Sequence, residues 1–252
     1  MNDLIGFFDS GVGGVSVLRE ATRLMPNEHF LFYGDNKNAP YGPRPLEEIR
    51  ALSAAGIGEL TKRDVKAVVI ACNTATSAYA EIIRAQRPDL IIVGMEPALK
   101  PAHFARHGGQ VLVLATDATL RLEKFERLMA LYGSDVVPVV GKGLVELVEG
   151  GRAGTPEAEE HLRRLLEPYM GRQIDAIVLG CTHFPFLRAP IQRLFPQAKL
   201  FDGLEGTAQR LKYLLDEQGL RSDDTPGSVA YMSSGGEKSV ALMKRLMEEP
   251  ER

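Results

Sequence analysis

Ala67-Val68-Val69-Ile70-Ala71-Cys72-Asn73-Thr74 returns later in the chain as Ala176-Ile177-Val178-Leu179-Gly180-Cys181-Thr182-His183. Each copy is a short β-branched apolar run that ends in a cysteine and turns polar at once. Runs of this length and composition read as strands buried on both faces. The 252-residue sequence contains two cysteines, and these are the two, 181 − 72 = 109 positions apart. Leu4-Ile5-Gly6-Phe7-Phe8-Asp9-Ser10-Gly11 matches Val111-Leu112-Val113-Leu114-Ala115-Thr116-Asp117-Ala118 at a similar offset, 111 − 4 = 107. Two matches at such close offsets point to two halves built in the same order.

The same alternation runs through the rest of the chain. Apolar strand candidates lie at 4–8, 29–33, 65–71, 90–93, 111–115, 136–140, 174–179 and 199–201. Amphipathic helical stretches lie at 14–24, 45–63, 74–86, 119–131, 156–170, 185–194 and 207–218. Strand followed by helix, repeated, predicts an α/β fold with mostly parallel sheets flanked by helices. Glu96-Pro97 and Lys100-Pro101 punctuate the chain near its middle. The expected first domain is therefore 1–95 plus 207–252, with the last helix and the tail returning to it. The expected second domain is 96–206.

Hydrophobic residues make up 44% and charged residues 25%, with a net charge of −3, which is a globular composition. Without a dense Lys/Arg block, neither nucleic acid nor an anionic membrane is the expected partner. The start, Met1-Asn2-Asp3-Leu4, lacks the basic and apolar regions of a signal peptide, so a cytoplasmic location is expected. In that reducing setting both cysteines are expected as thiols. No metal-ligand spacing and no lysine in a Schiff-base setting is seen, so no metal and no cofactor is expected.

Candidate site residues cluster where strands end. Asp9-Ser10-Gly11-Val12-Gly13-Gly14 follows the first strand, and its glycines free backbone amides to hold a carboxylate or phosphate at a helix N-terminus. It is not a dinucleotide fingerprint, because Ser16 stands where the third glycine would be. Gly34-Asp35 leads into a turn-rich loop with Tyr41 and Gly42, and Arg44 there reads as a surface charge. Cys72 and Cys181 each sit at a strand-to-helix junction, where the helix dipole lowers a thiol from its usual pKa of about 8.5. Asn73, Thr74, Thr182 and His183 supply polar groups beside them. Asp117 and Thr119 follow the equivalent strand of the second half and are candidates for the pocket wall. By spacing alone Glu149 ends an amphipathic stretch and reads as exposed. A thiol on each side of one site suits removal of a proton from one face of a carbon and its return on the other.

Together the segments Phe8–Gly14, Tyr33-Gly34-Asp35, Pro40-Tyr41-Gly42, Ala71–Thr76, Gly94-Met95-Glu96-Pro97 and Leu179–Pro185 closely resemble the glutamate racemases, cofactor-independent enzymes of bacterial cell-wall synthesis. Asp202-Gly203 and Gly206-Thr207-Ala208 extend the likeness. The resemblance implies two pseudo-symmetric α/β domains with the site between them, and racemisation of L- and D-glutamate for peptidoglycan. It implies that Cys72 and Cys181 are the acid/base pair, assisted by Asp9 and His183 respectively. It places Asp9, Ser10, Tyr41, Gly42, Asn73, Thr74, Thr182 and His183 on substrate-contacting positions, and Glu149 on a family acidic position. It also implies a small-molecule substrate and a homodimer of open geometry. One departure is visible, Gly141-Lys142 where the family often has Cys-Pro. Three other readings remain open: a racemase for aspartate or another small amino acid, a cysteine hydrolase using Cys72 and His183, and a non-catalytic amino-acid binder.

Overall fold

The computed structural model describes residues 3–222 and 226–248. Its strands, in chain order, are β1 (Leu4–Asp9), β2 (His29–Gly34), β3 (Ala67–Ile70), β4 (Ile91–Gly94), β5 (Gln110–Ala115), β6 (Val136–Val140), β7 (Ile174–Leu179), β8 (Lys199–Phe201) and β9 (Ser228–Ser233). All but β9 fall on apolar runs read from the sequence. The helices are α1 (Val15–Leu24), α2 (Leu46–Thr61), α3 (Asn73–Gln86), α4 (Leu99–Phe104), α5 (Asp117–Arg121), α6 (Glu123–Tyr132), α7 (Leu144–Glu149), α8 (Pro156–Leu166), α9 (Arg188–Leu194), α10 (Leu204–Glu217) and α11 (Glu237–Glu248).

Every strand pairing is parallel, in two sheets of order β4-β3-β1-β2-β9 and β6-β5-β7-β8. Taking β5, β6, β7 and β8 as counterparts of β1, β2, β3 and β4 turns the second order into the first, with β9 added at one edge. The offsets near 108 thus mark a repeated topology. Buried apolar side chains carry it: Phe7, in register with Phe32 and Val69, and Val113, in register with Val178, are fully buried. Helix α1 turns Val15, Leu18 and Ala21 inward and leaves Arg23 outside, the stripe expected of a helix lying on a sheet.

In each half the chain passes from the first strand to a neighbour on one side and then to the third strand on the other. Such a switch opens a crevice beyond the carboxyl ends of the first and third strands. Ser10 and Cys72 lie just beyond β1 and β3, and Thr116 and Cys181 just beyond β5 and β7.

Several boundaries differ from the sequence expectation. The stretch 119–131 is two helices, because Leu122 is extended at φ −85 and ψ 143. That bend lets Leu122 pack against the cluster containing Tyr41 and Ala75, while Phe125 enters the cluster around Val113. Helix α8 stops at Leu166 and tightens into a 3₁₀ turn, since Pro168 cannot continue the hydrogen-bond ladder. Helix α10 is not the last, because β9 and α11 follow it. Strand β9, with the short apolar run Val229-Ala230-Tyr231-Met232, is not among the expected strands; it lies at the sheet edge with Ser228 and Ala230 exposed and the other side chains partly buried.

The return of the chain to the first sheet is fixed by a buried ion pair at the amino ends of the strands. Glu28 is fully buried with Lys66 Nζ 2.7 Å from its Oε2. Lys66 also donates to the carbonyl of Leu220, and the Ser222 N–H donates to Glu28 Oε1 at 3.0 Å. Removing one member strands the other charge in the interior. Glu28→Ala is therefore expected to lower stability by about 3–5 kcal/mol, read as a reduced denaturant midpoint.

Candidate active site

The glycine turn after β1 holds an anion, and the anion belongs to the chain itself. The Val12 N–H donates to Glu149 Oε1 at 2.7 Å, while the Gly11 N–H donates to Asp9 Oδ1 at 2.8 Å. The glycines are needed for close approach. A Cβ at Gly11 would lie 1.9 Å from Glu149 Oε1, and one at Gly13 would lie 2.5 Å from His183 Nδ1 and Thr182 Oγ1. Spacing alone suggests an exposed Glu149; its side chain is only 20% exposed and ends against the glycine turn and His183. Gly143, at φ +79, opens α7 and delivers Glu149 there despite Gly141-Lys142. Gly141 itself leaves room for Phe184, whose ring a Cβ would meet at 2.4 Å.

His183 joins this group from beyond β7. Its Nε2 lies 2.7 Å from Glu149 Oε1, and its Nδ1 lies 3.7 Å from Cys181 Sγ and 3.5 Å from Thr182 Oγ1. The Thr182 hydroxyl donates to Asp9 Oδ2 at 3.0 Å, so its oxygen is free to accept from the imidazole. Burial by itself would lower the pKa of His183, but the hydrogen bonds and charges of Cys181 and Glu149 raise it well above the usual value. Burial acts on Glu149 in the opposite sense, and the His183 pairing overrides it to hold the carboxyl below its usual range. Both shifts run in the direction that favours an imidazolium facing a carboxylate. Asp9 is fully buried, and that burial raises its pKa.

The two sulfurs have unlike surroundings. Cys72 caps α3, with Ala75 N at 3.4 Å and Ser10 Oγ at 3.3 Å from its Sγ. The helix terminus was expected to lower this thiol. Instead burial, with the charge of Asp9, pushes it up to about 12. Asp9 acts on Cys72 through space; its own hydrogen bonds go to Gly11 and Thr182. Cys181 has the His183 ring as its neighbour.

Cys72 and Cys181 line one narrow cleft, together with Ser10, Tyr41, Gly42, Asn73, Thr74, Thr182 and His183. Asn73 is 2% exposed, and neither atom of its amide has a partner among the described residues, so both are free for a ligand. Tyr41 is held by its hydroxyl donating to Asp35 Oδ2 at 2.7 Å. Arg44 stays outside the cleft in an ion pair with Glu48.

Thr116 and Val145 also line the cleft and were not singled out in the sequence. Position after β5 was a usable signal for Thr116; Val145, on a short helix, offered none. Thr119 is buried behind Thr116, and the Thr74, Thr116 and Thr119 hydroxyls form a triangle with sides of 2.8, 3.1 and 2.9 Å that joins the two halves. Asp117 pairs with Arg121 outside the cleft. Among the described residues no helix is long and apolar enough to cross a membrane.

Residues 10–211 match the family model described as Asp/Glu/hydantoin racemase. A glutamate racemase from Clostridium perfringens is 46% identical over 98% of this chain and 97% of its own. A solved structure of Escherichia coli glutamate racemase with L-glutamate and the activator UDP-MurNAc-ala superposes with a TM-score of 0.84 at 30% identity, over 97% of this chain and 95% of that one. The Bacillus anthracis glutamate racemase isoform RacE1 gives 0.86 at 28% identity, over 98% and 94%.

The His183–Glu149 pair has a pH consequence. Because the folded pKa of His183 is raised, its contribution to stability is complete below the ordinary histidine value of 6.5 and is lost as pH rises through the higher folded value. Glu149→Gln removes the partner charge. The imidazole is then expected to titrate at lower pH, and the alkaline loss of stability to begin earlier. Imidazole ¹H–¹⁵N NMR against pH measures this directly; an unchanged titration would contradict the ion pair.

Proposed function

The chain belongs to the Asp/Glu/hydantoin racemase family, and we propose that it interconverts L- and D-glutamate by two-base proton transfer at Cα without a cofactor. The observation that carries the chemistry is that the two cysteines line the same cleft from equivalent positions of the repeated fold. The substrate is read from relatives that bear the name glutamate racemase and from His183 directly after Cys181-Thr182. D-glutamate made this way would supply peptidoglycan synthesis. The reading includes a cytoplasmic enzyme, a homodimer, and a first domain of 1–95 plus 207–252 around a second of 96–206.

In the L-to-D direction Cys181, as thiolate, takes the Cα proton. The electron pair left on Cα spreads into the substrate carboxylate. Cys72 donates its thiol proton to the opposite face, leaving Cys72 as thiolate and Cys181 as thiol. The high pKa of Cys72 suits it to begin as the acid. The reverse reaction starts from the opposite protonation pattern, with Cys72 taking the proton from D-glutamate.

Developing charge on the carboxylate needs donors already in place. The first turn of α3 presents N–H groups toward the cleft, and the Asn73 amide, Thr74 and Thr182 add side-chain donors. His183 is the ionisable nitrogen base among the residues lining the cleft. Asp9 and His183 assist their respective sulfurs, Asp9 through its charge and its bond to Thr182, His183 by direct contact.

Cys72→Ser and Cys181→Ser are each expected to cut racemisation by at least about 100-fold, the scale of a lost general acid or base. Circular dichroism of L- and D-glutamate, run beside L-aspartate, reads both activity and substrate. Wild-type racemisation by either variant would exclude the two-base scheme. Faster turnover of aspartate would reassign the substrate.

A further inference from the structure

The edge strand β9, which no motif singled out, ends in a hydroxyl that reaches the acid/base machinery through one residue. The Gly235 N–H donates to Ser233 Oγ at 2.9 Å, which leaves the Ser233 hydroxyl proton for Asn36 Oδ1 at 2.7 Å. With its oxygen so occupied, the Asn36 amide has one orientation, and its Nδ2–H donates to Glu149 Oε2 at 2.9 Å. Glu149 Oε1 is already taken by Val12 N and His183 Nε2, each at 2.7 Å. The donors and acceptors match along the whole line, from Gly235 to the imidazole beside Cys181.

The backbone is crowded to admit this line. A Cβ at Gly34 would meet Asn36 Oδ1 at 2.8 Å, and one at Gly235 would meet Asn36 Cβ at 2.8 Å. Asn36 is thus gripped between the ends of β2 and β9. Neighbouring Ser234 and Asp35 hold Tyr41 by a separate branch, in which the Ser234 hydroxyl donates to Asp35 Oδ1 at 2.6 Å.

We propose that Asn36, oriented by Ser233, is a positioning residue for the Cys181 side of the reaction: it fixes the second oxygen of Glu149 and so the angle at which His183 meets the sulfur. A carboxylate's terminal torsion is soft, and two bonds to one oxygen alone do not stop it turning. Losing the Asn36 bond frees that turn and lets Nδ1 drift from its 3.7 Å approach to Cys181. Neither residue touches the cleft, so substrate binding is spared. This inference rests on the two-base reading above.

The test uses Asn36→Ala, Ser233→Ala and Ser233→Thr in the full chain, with glutamate deuterated at Cα. Asn36→Ala is expected to lower kcat about 10-fold or more, the scale of a lost supporting hydrogen bond, with KM little changed. Ser233→Ala follows it more weakly, and Ser233→Thr, which keeps the hydroxyl, restores the wild-type rate. Raising the barrier on one face makes that face more rate-limiting in both directions. The primary isotope effect on kcat/KM should therefore rise with deuterated L-glutamate and fall toward unity with deuterated D-glutamate.

Isotope effects do not depend on the fraction of folded enzyme, so a merely structural loss would leave both unchanged. Unchanged effects, or effects that move together, overturn the proposal. Ser233→Ala, a mild change at a half-exposed edge, carries the same test should Asn36→Ala not fold. If instead the wild-type protein fails to exchange the Cα hydrogen, or Cys181→Ser keeps full activity, the two-base reading itself fails.

Discussion

The Glu149 carboxylate takes hydrogen bonds from three separate parts of the chain: Val12 in the glycine turn after β1, His183 beyond β7, and Asn36 after β2. A charge that is mostly out of water must be paired and fully hydrogen-bonded or it destabilises the fold. Meeting that condition draws the second half's α7 down onto the first half's glycine turn. The side chains around it follow suit: Val12 and Val15 belong to one continuous core cluster with Leu144, Leu147, Val148 and Phe184. With the Thr74–Thr116–Thr119 triangle and the Thr182–Asp9 bond, this carboxylate ties the two halves together around the cleft.

The same network makes two similar sulfurs chemically unlike. Cys72 and Cys181 occupy equivalent places in a repeated topology, yet one has Asp9 in its field and the other has the His183 ring in contact. The helix dipole at Cys72, worth at most about 2 kcal/mol, is outweighed by burial and by Asp9. The proposed two-base chemistry needs one acid and one base at the start, and unlike neighbours are what such a difference requires. The Thr182 hydroxyl links the two sides, since it donates to Asp9 and faces the imidazole nitrogen.

Much of this was legible in the residues. Apolar runs of Val, Ile and Phe located the eight strands that are buried or well paired, because full burial leaves a strong compositional trace. Edge strand β9 left a weaker trace: its apolar run is only Val229–Met232, and none of its side chains is fully buried. Asp9, Ser10, Cys72, Asn73, Cys181 and His183 were found because strand ends concentrate polar residues at a switch point. Asn36, Ser233, Thr116 and Val145 were not, because their importance lies in what they touch. Glu149 was half legible: the family likeness marked it, while its spacing argued for exposure.

By itself the sequence determined the alternation of strand and helix, the duplication of the half, and the pair of thiols at matched junctions. These are local properties, written in the period of apolar residues and the chemistry of turns. Only the tertiary structure decided which anion the glycine turn holds, that Asn36 and Ser233 support it, and that β9 closes the first sheet. Those outcomes depend on groups more than 100 residues apart meeting within hydrogen-bond distance, as Val12 and Glu149 do. No local pattern encodes such a meeting; the packing of the whole chain produces it.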